Sequence, residues 1–385
     1  MHPDSPELRD RRLVLLGGGH SHLEVVRRLG RSSGVRPRMT LVSRDPVSIY
    51  SGMLPGHIAG LYPAGAIGID LTELCDRYAA TFHRGDVTGI DRQRKRVLLA
   101  DGNSIDYDLL SINTGAAPSL DRIPGAAEHA IAVKPLQRFM QQLDAIKAHG
   151  GSAADEPMAI VGGGAGGVEL ALALDVRMHH RKQILLITGR RGLLPEHNPR
   201  VRRQVRACLQ RRDIRLIEGQ RVSHIHRHGL RLDEGRELAS AATLLATAVR
   251  GPAWLGETGL ALDAAGFIRV RRTLAAVGDP AVFAAGDVAS IDDMPLARAG
   301  VFAVRQGPLL ATNLRRALAG KPQRPFRPQR ATLALISTGD RYAIASRGRF
   351  SASGYWVWRW KDWLDRRFIR RYSDGDQGDE PVMRC

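Results

Sequence analysis

The chain has 385 residues, 43% of them hydrophobic and 25% charged, enough to bury one large core or two to three domains. Its cysteines, Cys75, Cys208 and Cys385, form no CxxC or CxxxxC pair, which excludes a disulfide framework and a metal knuckle, and no apolar run reaches the ~20 residues of a membrane span. The formal net charge of +18, mostly arginine, suits an acidic partner, but no nucleic-acid module is recognisable and no nucleic acid is expected to bind.

The N-terminal stretch MHPDSPELRDRR is charged and lacks the apolar core of a secretory signal, so a cytoplasmic protein is expected. From 13 to 42, an apolar run, a glycine turn, a helix-like stretch and MTLVS spell a strand–turn–helix–strand unit. The turn carries Gly17 and Gly19 in the first two glycine positions of GxGxxG, with His22 in the third. The pattern then predicts a β-meander over 83–115, a helix over 134–150 and a linker over 151–157. From 158 to 188 the unit recurs as MAIV, GGGAGG, VELALALDVRMHH and QILLIT. Gly162, Gly164 and Gly167 complete GxGxxG here, after a strand and before a helix. The first glycine permits the tight turn, the second lets backbone approach a pyrophosphate, and the third lets helix and strand pack. The helix N-terminus then presents free N–H groups to the phosphates. The alternative is a glycine turn that only packs. GDPAVFAAGDV at 278–288 reads as a buried strand closing on Gly286 and Asp287, followed by a helix over 297–319. The Pro- and Arg-rich stretch at 321–330 marks a boundary, 331–372 begins with strands and ends in a helix, and the tail from Ser373 is expected to be disordered. Two such units predict an α/β fold class with two Rossmann-like doubly wound domains and a small C-terminal α+β domain.

Neither unit ends in the acid that usually binds a ribose. The first ends in Ser43-Arg44, the second in Thr188-Gly189-Arg190-Arg191. A hydroxyl followed by arginines can accept a 2′-phosphate, which favours NADPH over NADH; equally, the arginines can be solvated surface. His20 and His22 either contact phosphate or pack. His224, His226 and His228 alternate along a strand and read more simply as a polar face than as metal ligands, so no metal is expected. Trp356, Trp360, Leu364, Phe368 and Tyr372 recur every four residues among arginines. That stripe suits a peripheral membrane surface over 356–372, or packing against the core or a homodimer partner.

Taken together, GGGHSH (17–22), YSGMLPG (50–56), NTGAAP (113–118), VGGGAGGVELA (161–171), VFAAGDV (282–288), AGVFAVRQGP (299–308) and RWKDWLDRRF (359–368) resemble the two-dinucleotide-binding-domain flavoproteins, the pyridine nucleotide–disulfide oxidoreductases. The resemblance runs from about residue 11 to 372. It is strongest to the type II NADH dehydrogenase-like branch and, more narrowly, to the flavoprotein module associated with selenophosphate synthetase. It implies FAD as cofactor, NADH or NADPH as co-substrate, and a quinone or other small acceptor. It also implies an alternative role, as a partner module for selenophosphate synthetase in selenium metabolism. The implied divisions are FAD-binding segments at 1–118 and 266–325, a connection at 119–157, an NAD(P)H domain at 158–265 and a C-terminal interface domain at 326–385.

By the same resemblance, Gly17, Gly19, His20 and Ser21 approach the FAD pyrophosphate, and Ser43 or Arg44 the adenosine ribose. Val87 meets the adenine, Thr114 and Gly115 form a second flavin-contacting turn, Leu54 and Pro55 pass the isoalloxazine ring, and Gly286 and Asp287 meet the ribityl chain. Gly162, Gly164, Ala165 and Gly167 hold NAD(P)H, with Thr188 and Arg190 at its ribose. Glu169 lies near the nicotinamide as the catalytic candidate, or merely complements its helix dipole. Lys134 either lies near flavin N1 or is a surface lysine. The chain departs from the disulfide reductases, because IYSGMLPGHIAG has no cysteine, and the quinone-lining glutamines reduce to Gln306.

Overall fold

The strand Arg12–Leu16 buries Leu13, Val14, Leu15 and Leu16 completely, because it has a parallel neighbour on each side and is covered on both faces. It anchors an eight-stranded sheet whose parallel core runs, in spatial order, Asp279–Ala284, Leu109–Ile112, Arg12–Leu16, Arg38–Ser43 and Thr81–Arg84. The computed structural model describes residues 10–32, 36–142, 156–247, 249–329 and 331–374. Most of the expected linker, the second half of the 134–150 helix, Cys385 and nearly all of the expected disordered tail lie outside them; 136–142 are helical. The order of strands has one consequence for function. Asp279–Ala284 lies one strand away from Arg12–Leu16, so Asp287 ends up beside Gly17 although most of the chain separates them.

A second, five-stranded sheet is wholly parallel, in the order Ala130–Ala132, Ala242–Leu245, Met158–Val161, Ile184–Ile187 and Arg215–Ile217. Helix Ala165–Arg177 packs on it with nearly all of its residues from Gly167 to Asp175 buried, which accounts for the unbroken run VELALAL. The meander is shorter than the sequence predicts. Val87–Asp91, Arg96–Leu99 and Ser104–Asp106 form it, while Thr81–Arg84 and Leu109–Ile112 are parallel strands of the main sheet. The reason is burial: LLSI at 109–112 is covered on both faces and cannot sit in a half-exposed meander.

The C-terminal part is a three-stranded antiparallel sheet, Ala334–Ser337, Ala343–Arg347 and Phe350–Gly354, followed by helix Tyr355–Ser373. Of the predicted aromatic stripe the helix buries only Phe368 and Tyr372, with Trp360 and Leu364 half-buried. It buries Val357, Lys361, Asp365, Phe368 and Tyr372, and Trp356 is 57% exposed. The face is rotated because Lys361 and Asp365 neutralise each other inside at 2.6 Å. The far end is tied down twice: the Tyr372 hydroxyl donates to Glu24 (3.0 Å), and Arg77 donates to the Tyr372 carbonyl (2.9 Å).

Candidate active site

At the first glycine turn, the backbone of Gly17 has φ +92°, and a Cβ there would lie 2.7 Å from the Asn113 carbonyl oxygen and from Thr114 Cα. The organiser is Asn113, 3% exposed, which sequence reasoning missed although it directly precedes Thr114. Its Oδ1 accepts from the amides of Ser21 (3.1 Å) and His22 (3.4 Å), and its Nδ2 donates to the Ala285 carbonyl (2.6 Å). One side chain therefore joins the first turn, the Thr114-Gly115 turn and the Gly286-Asp287 turn. Thr114 is exposed, and a Cβ on Gly115 (φ +78°) would meet nothing within 4 Å, so this rim is open.

His22 fills the place of the third glycine by packing. Its ring nitrogens lie 2.7 Å from the Gly17 carbonyl oxygen and 2.8 Å from Ser111 Oγ, and burial pushes its pKa down to about 4. Ser21 differs from expectation. Its hydroxyl is buried and donates to the Ala303 carbonyl at 2.6 Å, so the side chain fixes helix Gly300–Leu318 rather than facing a phosphate. His20 stands at the helix start with its ring edge-on to Tyr50 and Phe368 (both 5.4 Å), and burial lowers its pKa to about 4 as well. Arg44 is drawn to Asp86 at 2.7 Å, and the carbonyl of Ser43 accepts from Gly85 (3.1 Å), beside strand Val87–Asp91.

Lys134, its side chain 36% exposed, donates its Nζ to Asp287 Oδ2 at 2.5 Å. Gly286 (φ +70°) donates its amide to Gln306 Oε1 at 2.6 Å. Gln306, 4% exposed, is thereby committed to the turn instead of lining a pocket. Replacing it with leucine leaves the Gly286 amide unpaired, which costs about 1–3 kcal/mol. A lowered denaturation midpoint, together with weaker flavin retention, is the expected result; an unchanged midpoint would show that the bond contributes nothing.

In the second turn the three glycines divide their work. A Cβ on Gly162 (φ +147°) would lie 2.8 Å from the Ala246 carbonyl carbon, and one on Gly167 would lie 2.9 Å from that of Gly162. A Cβ on Gly164 would meet nothing within 4 Å. Two glycines therefore pack and the middle one faces open space, as a pyrophosphate requires. Both glycine-turn helices start at glycines, Gly19 and Gly164, with no side-chain cap, and Ala165 opens the second. Thr188 is fully buried, its hydroxyl without a partner among the described residues, and Arg190 is exposed. On these observations the residues present fit two dinucleotides.

Glu169 lies one turn into the second helix, where its Oε1 accepts from the Ser337 amide at 2.8 Å. Burial raises its pKa to about 7, with Lys361 and the Ser337 amide opposing the rise. Lys361 donates to the Gly52 carbonyl and to Asp365 (both 2.6 Å), and Asp365 also meets the Tyr50 hydroxyl. Leu54 and Pro55, just beyond Gly52, are buried in a short helix packed against Ala165–Arg177. A line of contacts therefore runs from His20 in the first turn through Tyr50 and Asp365 to Lys361, whose charge acts on Glu169 in the second. The sequence marked only the two ends.

The remaining candidates stay apart from this line. His224 and His226 share a strand, His226 pairs with Glu237 (3.1 Å), and among the described residues no three His, Cys, Asp or Glu side chains are grouped to hold a metal. Cys75 and Cys208 are buried core thiols.

Two nucleotide-type folds, each with a glycine turn between a parallel strand and a helix, are the arrangement of a two-dinucleotide flavoprotein. The profile of the pyridine nucleotide-disulphide oxidoreductases matches residues 11–313, and the chain belongs to that family. It is an FAD- and NAD(P)H-dependent oxidoreductase. It is 27% identical over 351 residues to the demethylphylloquinone reductase of Synechocystis sp., covering 83% of this chain and 82% of that one. Among solved structures, it resembles the sulfide:quinone oxidoreductase of Aquifex aeolicus (TM-score 0.80, 19% identical, 95% of this chain and 92% of that one). It also resembles the Plasmodium falciparum NDH2 solved with NADH (TM-score 0.77, 14% identical, 94% and 98%).

Proposed function

We propose that the chain oxidises NAD(P)H and reduces a quinone held at a membrane surface. The observation that carries this reading is the line from His20 through Tyr50 and the buried Asp365–Lys361 pair, whose lysine charge reaches Glu169 at the second turn. The quinone-reducing relative supports the choice of acceptor. FAD, when bound, supplies hydride acceptance and onward electron transfer. The rims at Gly17, Thr114-Gly115 and Gly286-Asp287 would hold FAD. Gly164 and Ala165 would meet the pyrophosphate of NAD(P)H. NAD(P)H, one proton and a quinone give NAD(P)⁺ and a quinol, so a proton has to be supplied beside the hydride. Glu169 can hold that proton near neutral pH, while Lys361 favours its release by stabilising the carboxylate. The selenophosphate synthetase partnership has no counterpart among the relatives named above.

The membrane part of the reading rests on an exposed aromatic patch. Phe350 (56%), Tyr355 (54%), Trp356 (57%) and Trp363 (42%) are open to solvent near Arg359, Arg366 and Arg370, also exposed. No helix among the described residues is long and apolar enough to cross a membrane. Aromatic rings among arginines suit the headgroup layer of an anionic bilayer. Replacing Trp356 and Trp363 together by aspartate is expected to cut co-sedimentation with anionic vesicles by about tenfold or more. Turnover with a membrane-embedded quinone falls with it, while turnover with a short-chain soluble quinone is retained. Equal losses with both quinones would place the patch in the fold rather than at the membrane.

A further inference from the structure

We infer that the second nucleotide site selects NADPH, with Arg190 as the group that recognises the 2′-phosphate and Thr188 as the uncharged residue that leaves room for it. This rests on the reading of that site as the hydride donor's. The turn after strand Ile184–Ile187 is stitched onto the glycine turn itself. The Gly162 amide donates to the Ile187 carbonyl (2.9 Å), and the Leu194 amide donates to the Gly163 carbonyl (2.7 Å). A Cβ on Gly163 would lie 2.9 Å from Thr188 Cβ. Thr188 therefore sits at the strand end where a site for NADH places a carboxylate against the ribose hydroxyls.

Thr188 brings no charge there. It is fully buried, its amide donates to the Ile217 carbonyl (2.8 Å), and its hydroxyl has no partner among the described residues. The next two side chains lie at the tip of a turn closed by the Gly192 amide on the Gly189 carbonyl (2.8 Å). Arg191 is paired with Glu196. Arg190 is exposed and makes no hydrogen bond or ion pair with the described residues.

The nearby carboxylates are already committed. Glu218, at the end of the next strand, accepts from the Leu193 amide (3.1 Å) and is held by Arg206 (2.6 Å). Glu196 is neutralised by Arg191. A 2′-phosphate at this turn thus meets one uncommitted guanidinium and, among the described side chains named here, no unpaired negative charge; Thr188 lies beneath the turn and brings none. The guanidinium fork matches phosphate geometry. NADH would leave the arginine unserved.

The test uses the flavin-loaded protein and two readouts: dissociation constants of NADP⁺ and NAD⁺ by calorimetry, and kcat/KM for NADPH and NADH. Wild type is expected to favour the phosphorylated nucleotide by about tenfold or more in both readouts, the size of one charge-assisted hydrogen bond. The preference falls as salt is raised. Arg190→Ala lowers the NADPH/NADH ratio by about tenfold, Arg190→Lys retains part of it, and Thr188→Glu inverts it. Equal or tighter NAD⁺ binding by wild type would overturn the inference, as would a ratio unmoved in Arg190→Ala. Bleaching of the flavin by NADH alone would defeat NADPH selection and leave the proposed function standing. Bleaching by neither nucleotide would defeat the proposed function, while NADP⁺ binding would still report on the site.

Discussion

Gly19→Ala is expected to yield a folded but colourless protein. At Gly19 the obstacle is space: a Cβ would lie 2.5 Å from the Asn113 carbonyl oxygen and 2.6 Å from its Cγ. The carbonyl cannot retreat, because Asn113 continues strand Leu109–Ile112 at the centre of the main sheet. The side chain can move only by giving up its bonds to Ser21, His22 and Ala285. Overpacking of this kind costs about 1–3 kcal/mol, and the strain falls on the three turns that would carry FAD. The ratio of flavin to protein after purification reads the result, and binding of NADP⁺ or NAD⁺ at the second turn serves as the control. A fully yellow variant would mean that the Asn113 junction does not shape the flavin site.

Glu169→Gln is expected to slow quinone turnover by roughly one to two orders of magnitude, in keeping with the loss of a positioned proton donor. The turnover of wild type should change slope near pH 7, where Glu169 titrates, and the variant should lose that inflection. Stability gives an independent readout with a definite sign. The folded-state pKa of Glu169 is raised, mainly by burial, from 4.5 to about 7. Its favourable contribution is therefore fully present below pH 4.5 and lost as pH rises to about 7. Glutamine cannot ionise and still accepts from the Ser337 amide. Relative to wild type, the variant gains up to a few kcal/mol above pH 7 and nothing near pH 4. An unchanged pH profile in both readouts would return Glu169 to the role of a helix-end charge.

The glycine turns were legible because their information is local. Strand, turn, helix and second strand fit within a short window, and parallel strands buried on both faces read as unbroken apolar runs. The pairing of Asp287 with the first turn came only through the family resemblance, since nothing local ties 287 to 17. Asn113, Lys361 and Asp365 escaped for the same reason: each acts on a turn far away in sequence. The C-terminal helix was legible only in part, at Phe368 and Tyr372, because periodicity counts apolar residues. Its buried face instead includes a lysine and an aspartate that are tolerable inside only as a pair. Gln306 looked like a remnant of a quinone pocket by position, yet its oxygen is occupied by the Gly286 amide.

The most direct test of the central claim is the visible spectrum of the purified protein, recorded without oxygen, during titration with NAD(P)H and then with a quinone. The account predicts flavin bands that bleach with one equivalent of nucleotide and return with one equivalent of quinone. A yellow protein that neither nucleotide bleaches, or a bleached one that quinone leaves colourless, would contradict it.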